Sequence, residues 1–133
     1  EIIEKLSQSM ERYETETLNN SQLSYLTPTQ VHYLDAIYHL ENPKISELAS
    51  YLNVSKPTVT FAVNKLDKDG YVQKTQSNKD RRFFSIHLTS KGEELAKLHD
   101  DIHKNYAEIF KNALDKKELK ILEGLLEKVL KEV

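Results

Sequence analysis

The segment from Ser55 to Leu88, SKPTVTFAVNKLDKDGYVQKTQSNKDRRFFSIHL, restricts the choice of fold more than any other part of the chain. It reads as a capped helix, an abrupt stop and a charged hairpin. The Ser55 hydroxyl can accept from an amide one turn on, and Pro57 just inside the helix start removes no needed donor. Val59, Ala62, Val63 and Leu66 recur at helical spacing on one apolar stripe, and Gly70 can take the left-handed conformation that closes a helix. Off the stripe stand Lys56, Pro57, Thr58, Thr60, Phe61, Asn64, Lys65 and Lys68, a face without a carboxylate until Asp67 and Asp69. After Gly70 the period changes to two. Tyr71, Val72 and Gln73 lead into KTQSNKDRR, and Phe84, Ile86 and Leu88 alternate on one face, as in a hairpin with a basic tip.

A partner helix lies just upstream, with Ile45, Leu48, Ala49 and Leu52 as its apolar stripe, Ser46 as its expected cap and Asn53-Val54 as the short turn into the second helix. Two short helices followed by a basic hairpin make a winged helix-turn-helix. The expected fold is therefore mainly α, with a two-stranded β wing and N- and C-terminal dimerisation helices. The first of these runs from Glu1 to about Asn20, where Ile3, Leu6, Met10 and Tyr13, widened by Ile2 and Leu18, form an apolar stripe that Asn19-Asn20-Ser21-Gln22 breaks. Thr27-Pro28-Thr29-Gln30 then starts a helix whose core face is Leu34, Ile37, Tyr38 and Leu40 and which Asn42-Pro43 stops. Beyond the wing, Thr89 caps a long helix lined by Leu95, Leu98, Ile102, Tyr106, Ile109 and Phe110. Asp115-Lys116-Lys117-Glu118 starts a last helix, along which Leu119, Leu122, Leu126, Val129 and Val133 are spaced in heptads.

The terminal helices carry more apolar surface than a small winged domain can cover, so a homodimer is expected. Its two-fold axis would set two recognition helices about 34 Å apart on a pseudo-palindromic operator. The length suits one domain, residues 1–133, with a reading lobe over 27–92 and dimerisation helices over 1–20 and 93–133.

The net charge of −2 argues against nucleic acid until its distribution is read. Residues 53–92 hold eight Lys or Arg against three Asp, a local +5. Residues 1–52 hold three bases against eight acids, and residues 93–133 eight against ten. Positive charge is thus gathered on the helix and hairpin already singled out, where it can meet phosphates. The chain has no cysteine, which excludes disulfides and an oxidant switch. No run is apolar enough for a membrane span and no signal peptide is visible, so the expected setting is cytoplasmic without a membrane partner. The first residue is not Met, and a few native residues are expected upstream. The chain has no Gly-rich phosphate loop, no Cys nucleophile and no Ser-His-Asp spacing, and no enzyme is expected.

ISELASYLNVS, the run TVT…LDKDGYV, the wing motif Asp80-Arg81-Arg82 and the exit LTSKG together resemble the MarR family of bacterial transcriptional regulators, across essentially the whole chain. The resemblance implies that the helix beginning at Ser55 enters the major groove of operator DNA, and that the wing reaches along the backbone or into the minor groove. Arg82 matches the family's wing arginine and Asp80 the acid that orients it. Thr58, Thr60, Phe61 and Asn64 are the candidates for base edges and thymine methyls, and Lys56, Lys65, Lys74, Lys79 and Arg81 for phosphates. For Phe61, core or interdomain packing is an equal reading.

His99 and His103 are four residues apart on the long helix, a spacing that lets two imidazoles share one metal ion or stand solvated side by side. Aligned on Thr27-x-x-Gln30 and Leu88-Thr89, the chain resembles the zinc-uptake repressors, the zinc-responsive branch of the family. That resemblance implies a zinc site of Glu14, His32, His99 and His103, with Glu11 or a water as the alternative to Glu14. The branch's second site falls on Asn20, Val31 and Leu98, which cannot rebuild it, so one Zn2+ per subunit is expected. His39 reads as a helix-face residue and His87 as a wing-strand residue. Zinc would act as corepressor by tying the first, second and fifth helices. The alternative effector is a small organic ligand, an aromatic acid or acyl chain, held between the dimer platform and the reading lobe.

Overall fold

A computed structural model describes residues 1–21 and 26–133. The described residues form six helices and one two-stranded antiparallel sheet: α1 (Ile2–Asn19), α2 (Pro28–Leu40), α3 (Ile45–Leu52), α4 (Lys56–Lys68), β1 (Val72–Gln76), β2 (Phe84–Leu88), α5 (Ser90–Ala113) and α6 (Lys116–Leu130). This is the mainly helical winged architecture expected from the sequence. Gln22, assigned to the break after α1, lies outside the described residues.

Helix starts follow their local chemistry. Thr27 and Gln30 form a capping box at α2. Ser55 accepts from the Thr58 amide at 3.3 Å, Thr89 from the Gly92 amide at 3.2 Å, and Asp115 from the Lys117 and Glu118 amides at 2.7 and 2.9 Å. Each such cap stabilises its helix by about 1 kcal/mol. Asn53, at φ 53°, makes the left-handed turn between α3 and α4, and Gly70, at φ 81°, closes α4.

The start of α3 differs from expectation. Lys44 is the boundary residue and Ser46 lies inside the helix, because the Glu47 carboxylate reaches back to the Lys44 amide at 2.7 Å and fixes the start two residues earlier. Just before it, Glu41 and Asn42 take positive φ, 52° and 64°, and fold the chain back so that the Pro43 carbonyl accepts from the Ile86 amide at 2.9 Å. Lys44 and Ser85 form an isolated bridge beside β2, a third contact of the wing that its own sequence does not announce.

The core sits between α2, α3, α4, the wing base and the start of α5. Leu34, Leu48, Val59, Val63, Leu66, Ile86 and Leu95 are fully buried. Truncating any of the leucines to Ala should cost about 2–5 kcal/mol. In the wing, Val72 pairs with Leu88 and Gln76 with Phe84. Only Ile86 of the expected alternating face is buried. Leu88 is half-buried and Phe84 is exposed, because β2 outruns the lobe and carries Phe84 beyond the core. On α1 and α6 no residue is buried: Ile2, Ile3, Ile121, Leu125, Val129 and Leu130 are each more than half exposed.

The end of α4 is locked to the start of α5. Thr89 donates its hydroxyl to the Gly70 carbonyl at 2.7 Å and its amide to the Tyr71 carbonyl at 3.0 Å. Lys91 reaches the Asp69 carbonyl at 3.3 Å and lies 4.1 Å from the centre of the Tyr71 ring. Gly92 allows this approach, since a Cβ there would fall 2.0 Å from the Tyr71 carbonyl oxygen.

Candidate nucleic-acid interface and metal centre

α4 presents its apolar stripe inward and leaves Lys56, Pro57, Thr58, Thr60, Phe61, Asn64 and Lys65 exposed, with Ser55 exposed at its cap. Phe61 is 77% exposed, which removes core packing within the subunit as its role. Several polar groups on this face are already engaged. The Ser55 and Thr58 hydroxyls lie 2.7 Å apart, and the Thr60 hydroxyl donates to the Lys56 carbonyl at 2.9 Å. Lys74 of β1 donates to Asn64 at 2.6 Å and approaches Asp67 at 3.7 Å, fastening the wing to α4.

The hairpin tip is built around Asp80. Its carboxylate accepts from the Arg82 amide at 3.0 Å and holds the guanidinium through Nε at 3.1 Å and Nη2 at 2.9 Å. Those hydrogen bonds hold the Asp80 carboxyl below its ordinary range and raise the Arg82 guanidinium in turn. The Arg82 side chain remains 85% exposed. Ser77 accepts from the Lys79 and Asp80 amides, and Gln76 donates to the Arg81 carbonyl at 2.6 Å, leaving the Lys79 and Arg81 side chains outward. A groove of about 240 Å³ between the wing and the N-terminal ends of α3 and α4 is lined by Lys44, Lys56 and Arg82. Lys44 also lies 5.1 Å from the centre of the Phe83 ring. Sequence reading missed Lys44 because the basic cluster is contiguous in space and not along the chain.

A second constellation lies where α1, α2 and α5 meet. Glu14, His32 and His99 each offer a ligand atom, all within 4.8 Å of one another. His99, only 2% exposed, is the centre: its Nε2 lies 3.1 Å from Glu14 Oε1 and 3.2 Å from His103 Nε2. His103 joins through His99, and the mutually close set is Glu14, His32 and His99. Four ligands held tetrahedrally at about 2.0–2.1 Å from a zinc ion stand about 3.3 Å from each other; the 3.1 and 3.2 Å separations match that edge and also the length of a hydrogen bond. One carboxylate and three imidazoles are also the right donors for that ion. Glu14, not Glu11, is the carboxylate brought to His99.

The other face of the His99 ring meets Asp35 of α2, whose Oδ1 lies 3.3 Å from Nδ1 and 3.3 Å from His39 Nε2. The approach to Nδ1 is close enough for an ion pair but not in line with the N–H, and the buried Nδ1 has no other acceptor among the described residues. Burial would push His99 down, but Asp35 and Glu14 outweigh it and hold the imidazole above its ordinary value. Burial would likewise raise Asp35, yet His99, with His39 and His103, holds it below. Asp35 was not singled out in the sequence. The signal was present in His32-x-x-Asp35-x-x-x-His39, one face of one helix.

Comparison with known proteins covers both the lobe and the whole chain. The MarR family model matches residues 26–83. The HTH-type transcriptional regulator YwaE of Bacillus subtilis, itself uncharacterized, is 31% identical over 119 residues, 89% of this chain and 67% of that protein. Two further curated relatives are spanned over only 54% and 51% of their length. The crystal structure of Streptococcus pneumoniae FabT in complex with DNA superposes with a TM-score of 0.87 at 26% identity, covering 98% of this chain and 93% of that one. A cysteine-to-serine mutant of E. coli MarR complexed with operator DNA has a TM-score of 0.71 at 25% identity, covering 97% and 91%. No helix among the described residues is long and apolar enough to cross a membrane.

Proposed function

The chain belongs to the MarR family, and on that premise we propose a homodimeric regulator that binds a pseudo-palindromic operator, represses transcription and takes zinc as corepressor. Members of this family are transcriptional regulators rather than enzymes. The observation that carries the DNA reading is the exposure of the α4 face together with the Asp80-oriented Arg82, whose side chain lines one groove with Lys56 of α4. Thr58, Thr60, Phe61 and Asn64 would read the major groove. Arg82 would enter the minor groove, and Lys44, Lys56, Lys65, Lys74, Lys79 and Arg81 would meet phosphates. FabT and MarR are both described in complex with DNA, and their backbones superpose along nearly the whole chain.

Dimerisation follows from the apolar residues that α1 and α6 leave uncovered. By this reading residues 27–92 form the reading lobe of one domain, and residues 1–20 and 93–133 form the platform that pairs two copies.

The zinc reading rests on the side chains alone. Glu14, His32, His99 and His103 would hold one ion per subunit, and a bound zinc would supply a cross-link among α1, α2 and α5. Since α5 is locked at Thr89, Lys91 and Gly92 to the end of α4, fixing α5 also fixes the recognition helix, hence the half-site spacing of the dimer. The alternative is an organic effector. The cavity of about 300 Å³ beside α2, β2 and α5 is lined by Glu41 and Glu93, which would repel an aromatic or acyl carboxylate. A groove of about 290 Å³ between α5 and α6, lined by Phe110, Leu119, Leu122 and Leu126 with Lys111, has the chemistry to take one.

Two measurements test the proposal. Sedimentation should give a dimer, and fluorescence anisotropy on duplex DNA should give binding that weakens steeply with salt. Protein purified without chelator should carry one zinc per chain. A monomer indifferent to duplex at low salt would end the regulator reading, and a metal-free protein that takes up no added zinc would end the corepressor reading.

A further inference from the structure

We infer that Asp35 is a positioning residue for the metal centre: its carboxylate stands beside Nδ1 of His99, so that when a metal takes Nε2 on the Glu14, His32 and His103 side the remaining ring proton faces Asp35. The inference rests on the zinc reading above and adds to it a residue outside the ligand set.

A histidine can bind a metal through one ring nitrogen only when the proton sits on the other, and a carboxylate beside that other nitrogen fixes both tautomer and ring direction. His99 has both halves of this arrangement. Its Nε2 points at the Glu14 and His103 ligand atoms, 3.1 and 3.2 Å away. Its Nδ1 is buried, and Asp35 Oδ1, at 3.3 Å, is the charged atom beside it. His39 meets the same oxygen from the exposed side at 3.3 Å, so Asp35 is itself held from the far end of the chain Glu14, His99, Asp35, His39. Asp35 and His32 are both on α2, one turn apart, so the helix that supplies a ligand also supplies the group that aims its neighbour.

The test uses the full chain and the variants Asp35→Ala and Asp35→Asn. Zinc affinity is measured by competition with a chromophoric chelator, and the ligand field is read from bound Co2+. Asp35→Ala should lose about 10- to 100-fold in zinc affinity, the usual effect of removing such a partner. Its Co2+ spectrum should keep four-coordinate intensity while shifting in energy. Asp35→Asn, which keeps an acceptor oxygen of the same reach, should recover part of the loss. Long-range 1H–15N correlation at pH 8 without metal should show a larger share of the His99 proton on Nδ1 in the wild type than in Asp35→Ala, where Glu14 is left as the carboxylate that draws it to Nε2. Wild-type zinc affinity in Asp35→Ala, or an unchanged His99 tautomer, overturns the inference. A wild type that binds no zinc overturns the metal reading instead, and the tautomer measurement still decides whether Asp35 governs His99.

Discussion

Glu14 of α1 and His99 of α5, 85 positions apart in the chain, meet with carboxylate oxygen and imidazole nitrogen 3.1 Å apart. Nearby, Tyr106 donates to the Leu6 carbonyl at 3.3 Å and its ring centre lies 5.8 Å from that of Tyr13. These contacts dock α1 along α5 although α1 buries no residue of its own.

Glu14→Gln keeps the size of the side chain and removes the charge that a cation needs. Zinc affinity in this variant is expected to fall by more than the about 10- to 100-fold of an outer-shell change. Operator binding in the presence of chelator should match the wild type. Chelator competition and anisotropy read the two quantities separately.

Gly92→Ala places a methyl group 2.0 Å from the Tyr71 carbonyl, a backbone atom that cannot swing aside. Alanine gains about 1 kcal/mol in helix propensity. Overpacking costs about 1–3 kcal/mol, and so close a contact puts this case at the upper end. Urea unfolding should show net destabilisation. Zinc should also lose part of its effect on operator affinity, because α5 and α4 no longer move as one body.

Much of this fold was legible because its signals are local. Ser55, Thr27, Thr89 and Asp115 cap helices through amides two or three residues away, and Gly70 closes α4 by its own backbone conformation. Phe84 and Lys44 escaped the reading because their surroundings are set by the third contact of the wing, made by chain returning from α2. The candidate metal ligands came from resemblance to a family pattern, and the structure brings Glu14, His32 and His99 together with His103 touching His99. Asp35 stayed hidden since an Asp within α2 is unremarkable until α5 is laid against it. Phe61 could not be decided from periodicity, which places it at the margin of the apolar stripe; its exposure removes core packing within the subunit.

Lys56→Ala should weaken operator binding uniformly across sequences and reduce the slope of log affinity against log salt by about 0.9, the share of one phosphate contact. Phe61→Ala should weaken binding with little change in slope, since no charge is lost. Anisotropy at a series of salt concentrations distinguishes the two.

Asp80 provides a pH test. The Arg82 hydrogen bonds depress its folded-state pKa. The pair's stabilising effect is therefore complete above the unfolded value of about 3.9 and is lost only as pH falls through the lower folded value. The carboxyl resonance of Asp80 should titrate below about 3.9 in the wild type and move back toward that value in Arg82→Ala.

The corepressor account is tested most directly by titrating zinc into the dimer with and without a saturating operator duplex. If the metal centre and the reading surface are linked, operator must tighten zinc binding by the same factor by which zinc tightens operator binding, typically about 5- to 150-fold. Equal zinc affinities in the two titrations would contradict it.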